Sequence, residues 1–257
     1  MSRILYKVFH SDKDIDREKL WFEANSTLQF IGEELDTPTV LISGPSSLKK
    51  FLDSNPEFKK SLDFKGYDPR KYMDTRSQFV GARGIRIGWR YGELGVWASN
   101  WLAWKAFLNT DADYLILVED DAVLVSGYGN LLPVYMKQLP EGWDQFHLWA
   151  PPGNLSLYVP SKHGIGNKDV CKAYQNWSNT AYVLTRSGAQ KLLNEVEQNG
   201  ITLPLDWLWF KESDRFEFGC YTVMPESTHL CYNSESVGST FQWQMKREDL
   251  TNYDIDL

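Results

Sequence analysis

The segment that most restricts the possible folds is DYLILVEDDAV, residues 113–123, in which an apolar run leads directly into three acids. Residues 114–118 are apolar at consecutive positions, as expected of a strand that is covered on both faces of its sheet. In open α/β sheets, ligands bind beyond the carboxyl ends of the strands, and Glu119, Asp120 and Asp121 follow this strand directly. The segment therefore predicts an α/β sheet with an acidic site at one edge.

Further strands and helices are predicted along the chain. Strands are expected at residues 4–9, 40–42, 145–149 and 181–185, and in CYTV before Pro225. A helix with a bulky buried tryptophan face is expected from Leu94 to the TDAD segment, and a second helix begins with a capping box of Ser187 and Gln190 and ends at Gly200. Strands that alternate with helices favour a mixed, mostly parallel sheet flanked by helices, in a single domain spanning residues 1–257.

Composition narrows the class of protein. The net charge of −7 argues against a broad cationic face for nucleic acid. The three cysteines are too few and too scattered for a disulfide framework or a CxxC metal site, so we expect free thiols in a reducing compartment. The N-terminal segment has the features of neither a signal peptide nor a membrane span. Together these features predict a cytoplasmic protein.

The acidic triplet has its own chemistry. Three adjacent carboxylates repel one another unless one is protonated or a cation lies among them. Oxygen ligands without a nearby pair of cysteines or histidines favour a hard divalent cation, Mg²⁺ or Mn²⁺. The alternative is that these acids only cap the next segment or pair with surface lysines.

Several segments, in this order and spacing, resemble glycosyltransferase family 25, which includes lipooligosaccharide galactosyltransferases and the transferase domains of collagen-modifying enzymes. They are GELGVWASNWLAWKAF, DADYLILVEDDAVL, NTAYVLTRSGAQKLL, PLDWLWF and VMPES, and they extend over roughly residues 81–239. The resemblance implies a GT-A-type, Rossmann-like fold, a UDP-sugar donor, Mn²⁺ or Mg²⁺, and transfer with inversion at the sugar carbon. It also implies a nucleotide-binding half, residues 1–110, and a metal and acceptor half, residues 111–257.

The resemblance assigns the metal site to the acidic triplet. Asp121 is the expected direct ligand. Glu119 belongs to the ligand set or lies with Asp120 near the ribose and the waters of the ion. His229 would complete the metal shell; its alternative is an ordinary core or surface histidine.

The resemblance also implies a catalytic base. Asp206 stands where the family has a Pro-x-Asp, and it is the expected acceptor of the proton from the attacking hydroxyl; capping a following helix is its alternative role. Glu93 matches a Gly-Glu pair of the family and also fits the first turn of any helix. Asp144, at a strand start, is expected to be structural. The chain departs from the family at Ser99-Asn100, where Ser-His is common.

Donor-binding residues are expected near the N-terminus. His10, Ser11 and Asp12 follow the first strand, where GT-A proteins hold the base and ribose. Arg83 and Arg86 in a glycine-rich segment would contact the diphosphate or fix a loop.

These expectations define one leading function and two alternatives. The leading function is a metal-dependent, inverting glycosyltransferase that moves a sugar to a hydroxyl of a bacterial surface glycan. One alternative acceptor is a hydroxylated base in viral DNA. A non-catalytic module that binds sugar and Ca²⁺ is the second alternative.

Overall fold

The computed structural model describes residues 2–9, 32–62, 91–149, 169–173, 179–202, 205, 208, 217–225 and 227–233. In chain order its elements are β1 (Ile4–Phe9), β2 (Glu33–Glu34), α1 (Pro45–Ser54), α2 (Pro56–Ser61), α3 (Tyr91–Leu108), β3 (Tyr114–Glu119), β4 (Ala122–Leu124), α4 (Tyr128–Met136), β5 (Gln145–His147), β6 (Val170–Lys172), β7 (Ala181–Thr185), α5 (Arg186–Asn199), β8 (Cys220–Val223) and β9 (Cys231–Asn233).

Seven of the described strands form one sheet in the order β2-β1-β3-β7-β5-β8-β6. β1 pairs in parallel with β2 and β3, and β5 pairs in parallel with β8. The remaining pairs, β3 with β7, β7 with β5 and β8 with β6, are antiparallel. Only β7 and β6 therefore run against the other strands of this sheet, and the expected mixed, mostly parallel sheet is confirmed. We call the edge at which β1, β3, β5 and β8 end the carboxyl edge, and the opposite one the amino edge.

The strand β3 is covered on both faces, as its apolar run predicted. Leu115 and Leu117 belong to a core cluster with residues of α1, α2, α3 and α5. Ile116 and Val118 belong to a second cluster on the other face, with residues of α4 and of the two-stranded ribbon β4–β9. The sheet is thus the middle of three layers, and burial on both faces explains why polar residues begin only where β3 ends.

The helix α3 supplies much of the first core cluster. Trp97, Trp101 and Trp104 are almost fully buried, as the helical spacing predicted. At the helix end, the guanidinium of Arg186 donates to the carbonyl oxygens of Thr110 at 2.8 Å and Leu108 at 2.9 Å. Arg186 follows β7, whose last residue lies at the amino edge, so α3 ends at the amino edge and begins toward the carboxyl edge.

Two expectations about local structure were wrong. Residues 40–42 form no strand, because the backbone N–H of Val40 donates to Oγ of Ser99 in α3 at 2.8 Å rather than to a neighbouring strand. The helix α5 is capped by Thr185, whose hydroxyl accepts from the N–H of Gly188, and not by Ser187. Ser187 instead donates to the buried carboxylate of Asp144 at 3.1 Å.

Other boundaries agree more closely. β1 and β7 have the expected limits, β5 ends at His147 instead of residue 149, and α5 ends before Gly200. Among the described helices, none combines the length and the apolar character that a membrane crossing requires.

Candidate functional site

The acidic triplet lies at the carboxyl edge. Glu119 is the last residue of β3, where it pairs with Phe9 of β1, and its backbone N–H donates to the carbonyl oxygen of Thr180 at 2.8 Å. Asp120 and Asp121 form the turn between β3 and β4. Paired strands on both sides therefore fix the position of this acidic turn.

The three carboxylates differ in burial and direction. Glu119 and Asp120 are half-buried, whereas Asp121 is only 6 % exposed. Strand alternation directs Glu119 to the α3 side of the sheet, the side of Leu117. Asp121 lies near Cys231 of the ribbon: burial raises the pKa of this thiol, and the negative charge of Asp121 raises it further. The turn thus presents carboxylates toward both sides of the edge.

The ligand chemistry of the turn suits a hard cation. Carboxylate oxygens from one or two residues, completed by waters and substrate phosphates, are how proteins commonly bind Mg²⁺. Within the described part of the chain, no group of three or more His, Cys, Asp or Glu side chains is arranged to hold a metal ion. Asp121 with one neighbouring carboxylate is therefore the donor set that the turn offers.

His229 lies away from this turn. In the antiparallel ribbon, Ala122 pairs with Asn233 and Leu124 pairs with Cys231. Asp121 precedes the first pair and His229 lies beyond the last, at the opposite end of the ribbon. Burial lowers the pKa of His229. The structure does not bring this imidazole to Asp121, because the register of the ribbon separates them.

Glu93 is carried toward the acidic turn by α3. Asn100 of the same helix accepts a hydrogen bond from Tyr182, which pairs with Leu117 in the sheet. Glu93 lies seven residues before Asn100, or about 10 Å along the helix axis, in the direction of the carboxyl edge. The first turn of α3 and Glu119 therefore lie on the same side of the sheet.

Six of the expected site residues, His10, Ser11, Asp12, Arg83, Arg86 and Asp206, lie outside the described residues. Their closest described neighbours are informative in two places. Phe9, which pairs with Glu119, is the residue that precedes His10. Leu205 and Leu208 are helical, and both belong to the core cluster that contains α3.

Asn100, at the position where the resemblance led us to expect a histidine, is a buried structural residue. The Nδ2 atom of Asn100 donates to the carbonyl oxygen of Val96 at 2.9 Å, and its Oδ1 atom accepts from the hydroxyl of Tyr182 at 2.6 Å. The same hydroxyl accepts from Nε1 of Trp104 at 3.2 Å. Asn100 is only 2 % exposed. It therefore links α3 to β7 beneath the site.

Asp144 has the structural role that the sequence predicted. It is fully buried at the amino edge, one residue before β5. Its carboxylate accepts from Nζ of Lys191 and from the N–H of Gly219, both at 2.7 Å, and from Ser187. These bonds connect β5, α5 and the segment before β8, and the carboxylate points away from the acidic turn.

Two polar residues at the carboxyl edge were missed in the sequence. Asn179 and Thr180 precede β7 and are almost fully buried beside Glu119. Because β7 is antiparallel to β3, its amino end lies where β3 ends. The only signal in the sequence is the polar pair itself, and its location follows from the strand direction, which the sequence does not specify.

Comparison with known proteins agrees with this geometry. Residues 90–209 match the family described as glycosyltransferase family 25 (LPS biosynthesis protein). The match contains α3, the acidic turn, β7 and α5, and it is narrower than the resemblance expected over residues 81–239. The match supports the expected family, and the sheet described above is consistent with a Rossmann-like glycosyltransferase fold. No curated protein matches the chain.

Proposed function

Because residues 90–209 belong to glycosyltransferase family 25, we propose that this protein transfers a sugar from a UDP-sugar to a hydroxyl of an LPS-type glycan, with inversion at the sugar carbon. The observation that carries the proposal is the acidic turn at the carboxyl edge, within the matched segment. Carboxyl edges are where α/β sheets bind their ligands. A buried strand, paired on both sides, holds this turn in place.

The proposal assigns the acidic turn to the donor diphosphate. Asp121 would hold a Mn²⁺ or Mg²⁺ ion directly, and Glu119 and Asp120 would hold its waters or the ribose. The ion would neutralise the diphosphate and stabilise it as the leaving group. His229 is not part of this proposal, because the ribbon places it at the other end.

The other expected roles remain part of the proposal. Asp206 would accept the proton of the attacking hydroxyl, and Glu93 would position groups of the donor or acceptor from the start of α3. The remaining donor contacts are assigned to His10, Ser11, Asp12, Arg83 and Arg86. None of the described cysteines forms a disulfide, which fits the cytoplasmic location that we propose.

A thermal unfolding experiment tests the metal and the nucleotide together. We expect UDP and Mn²⁺ added together to raise Tm more than the sum of their separate effects, because each completes the site for the other. Asp121→Asn should remove this joint effect. Asp113→Asn is the matched control, since Asp113 is an exposed acid at the amino end of the same strand. Stabilisation by Ca²⁺ alone, without nucleotide, would instead identify a non-catalytic module.

Acceptor class is tested separately. We expect hydrolysis or transfer with one member of a UDP-sugar panel, and transfer to deacylated LPS-type oligosaccharide. Transfer to DNA that contains 5-hydroxymethylated pyrimidine, with none to the oligosaccharide, would contradict the proposed acceptor.

Asp206→Asn tests the catalytic base. We expect kcat to fall by about 100-fold or more while the Kd of UDP, measured by calorimetry, changes less than about threefold, because a base acts only on the attacking hydroxyl. A weakened Kd with an unchanged kcat would make Asp206 a binding residue.

A further inference from the structure

Two neighbouring strands, β5 and β8, direct polar side chains into the interior. Phe146 of β5 and Val223 of β8 belong to the core cluster on the α4 side of the sheet. Strand alternation therefore directs Gln145, His147 and Thr222 to the α3 side. All three residues are fully buried. A polar group of this size is unusual in the middle layer of an α/β fold, where such positions are normally apolar.

His147 and Thr222 lie one row below the acidic turn, and Gln145 lies one row further toward the amino edge, because it pairs with Leu184, which pairs with Leu115. His147 pairs with Thr222 in β8 and with Tyr182 in β7, and the rings of His147 and Tyr182 are 6.0 Å apart. Tyr182 pairs with Leu117, which is two residues before Glu119 on the same side of β3. The polar group thus extends from the row below the carboxyl edge, at which the donor is proposed to bind, toward the amino edge.

Two members of this group lack the hydrogen bonds that burial demands. Both amide atoms of Gln145 and the hydroxyl of Thr222 have no hydrogen-bond partner in the part of the chain that the structure describes. Buried polar atoms without partners destabilise a fold, and native proteins usually satisfy them with a bound molecule when protein groups do not. These atoms therefore indicate a bound molecule, here called the guest, that supplies the missing hydrogen bonds.

The chemistry of the two side chains defines the guest. A carboxamide and a hydroxyl each offer both a donor and an acceptor, and neither carries charge. The ionised group that adjoins Gln145 in sequence is Asp144, whose carboxylate is engaged by Lys191 and Gly219 at the amino edge. A neutral group that both donates and accepts, such as a hydroxyl, matches this pair.

We propose that Gln145 and Thr222 form a buried subsite for a neutral hydroxyl group, with His147 beside it. The hydroxyl belongs either to a sugar held beneath the acidic turn or to an ordered water molecule. Naming a sugar rests on the proposed function, whereas the subsite itself does not. Sites that hydrogen-bond a substrate hydroxyl discriminate strongly against analogues that lack it.

Crystal structures of the full chain test this subsite, with and without soaked D-galactose. We expect density about 2.7–3.0 Å from the hydroxyl of Thr222. Density in both crystals identifies water, and density only in the soaked crystal identifies a sugar hydroxyl. Thr222→Ser keeps the hydroxyl and should keep the density. Absence of density from both crystals overturns the proposal.

The direction of the change in Tm gives an independent test. If a guest bonds these atoms, the near-isosteric variants Thr222→Val and Gln145→Met should each lower Tm by about 2–4 °C. Without a guest, the same variants remove unsatisfied polar atoms, and Tm should stay unchanged or rise, which would contradict the subsite. Neither measurement requires turnover, so a failure of the proposed transferase activity leaves both results interpretable.

Discussion

Two buried aspartates lie at opposite edges of the same sheet and have contrasting surroundings. Asp144, at the amino edge, accepts hydrogen bonds from Lys191, Gly219 and Ser187. Asp121, at the carboxyl edge, is flanked by Glu119 and Asp120 and lies close enough to Cys231 to raise the pKa of that thiol. Asp144 accepts from three donors in two segments, whereas Asp121 is one of three adjacent acids.

The contrast separates stability from function. Removing one partner of a buried, hydrogen-bonded charge is strongly destabilising. Removing one charge from a group of like charges relieves the repulsion within the group. The expected loss is then in the binding of the group's ligand and not in the stability of the fold. Asp144 should therefore matter for folding, and Asp121 for activity.

The largest expected effect is on activity at the carboxyl edge. Asp121→Asn should lower kcat/KM on the order of 1,000-fold, about 4 kcal/mol, because the proposed metal ion, which would neutralise the leaving diphosphate, loses a ligand. Its stability should stay within about 1 kcal/mol of the parent protein. Steady-state kinetics and urea unfolding measure both quantities. Retained turnover with a normal unfolding curve would remove Asp121 from the mechanism.

The next effect is on stability at the amino edge. Asp144→Ala should destabilise the fold by about 3 kcal/mol, because Lys191, Ser187 and the N–H of Gly219 lose their common acceptor. Tm should fall by roughly 6–12 °C in calorimetry. Glu197→Ala, an exposed acid on the same helix as Lys191, is the control. Equal Tm values for the two variants would contradict the predicted role of Asp144 in stabilising the amino edge.

A smaller effect is expected midway between the edges. Tyr182→Phe removes the hydroxyl that bonds Asn100 and Trp104, so two buried groups lose a partner. We expect a loss of about 1–2 kcal/mol in urea unfolding. Tyr232→Phe is the control, because Tyr232 is 49 % exposed. If both variants were equally stable, the hydrogen bonds between α3 and β7 would contribute nothing to the free energy of unfolding.

The smallest effect concerns pH at the far end of the ribbon. Burial lowers the pKa of His229 below its usual 6.5, so the unfolded chain binds the proton more readily than the folded chain. Stability is therefore intact above about pH 6.5 and declines as pH falls from there through the folded pKa. His229→Gln should reduce this decline when unfolding free energies at pH 7.5 and 5.5 are compared. An unchanged pH dependence would show that another group is responsible.

The sequence predicted the elements that have a strong local signal. β1, β3 and β7 are apolar runs bounded by polar residues, and α3 repeats its tryptophans at helical spacing. Residues 40–42 carry the same apolar signal, but a hydroxyl from α3 takes the hydrogen bond that a strand would need. β4 and β9 are three residues each, too short for periodicity to reveal them.

Prediction of the candidate site was limited in a similar way. The acidic turn was predictable because three acids follow a buried strand directly. The placement of His229 was not, because it depends on the register of the β4–β9 ribbon. Gln145 and Thr222 become neighbours only through the pairing of β5 with β8, in which Gln145 pairs with Cys220, 75 positions further along the chain.

The reversed strand β7 also has a consequence for synthesis of the chain. It is the only described strand that joins β3 to β5, so the two halves of the sheet cannot unite until Ala181–Thr185 has left the ribosome. A nascent or truncated chain that stops earlier presents two unpaired hydrophobic borders, which are templates for aggregation. Shortened versions of this protein should consequently need a chaperone or accumulate as insoluble material.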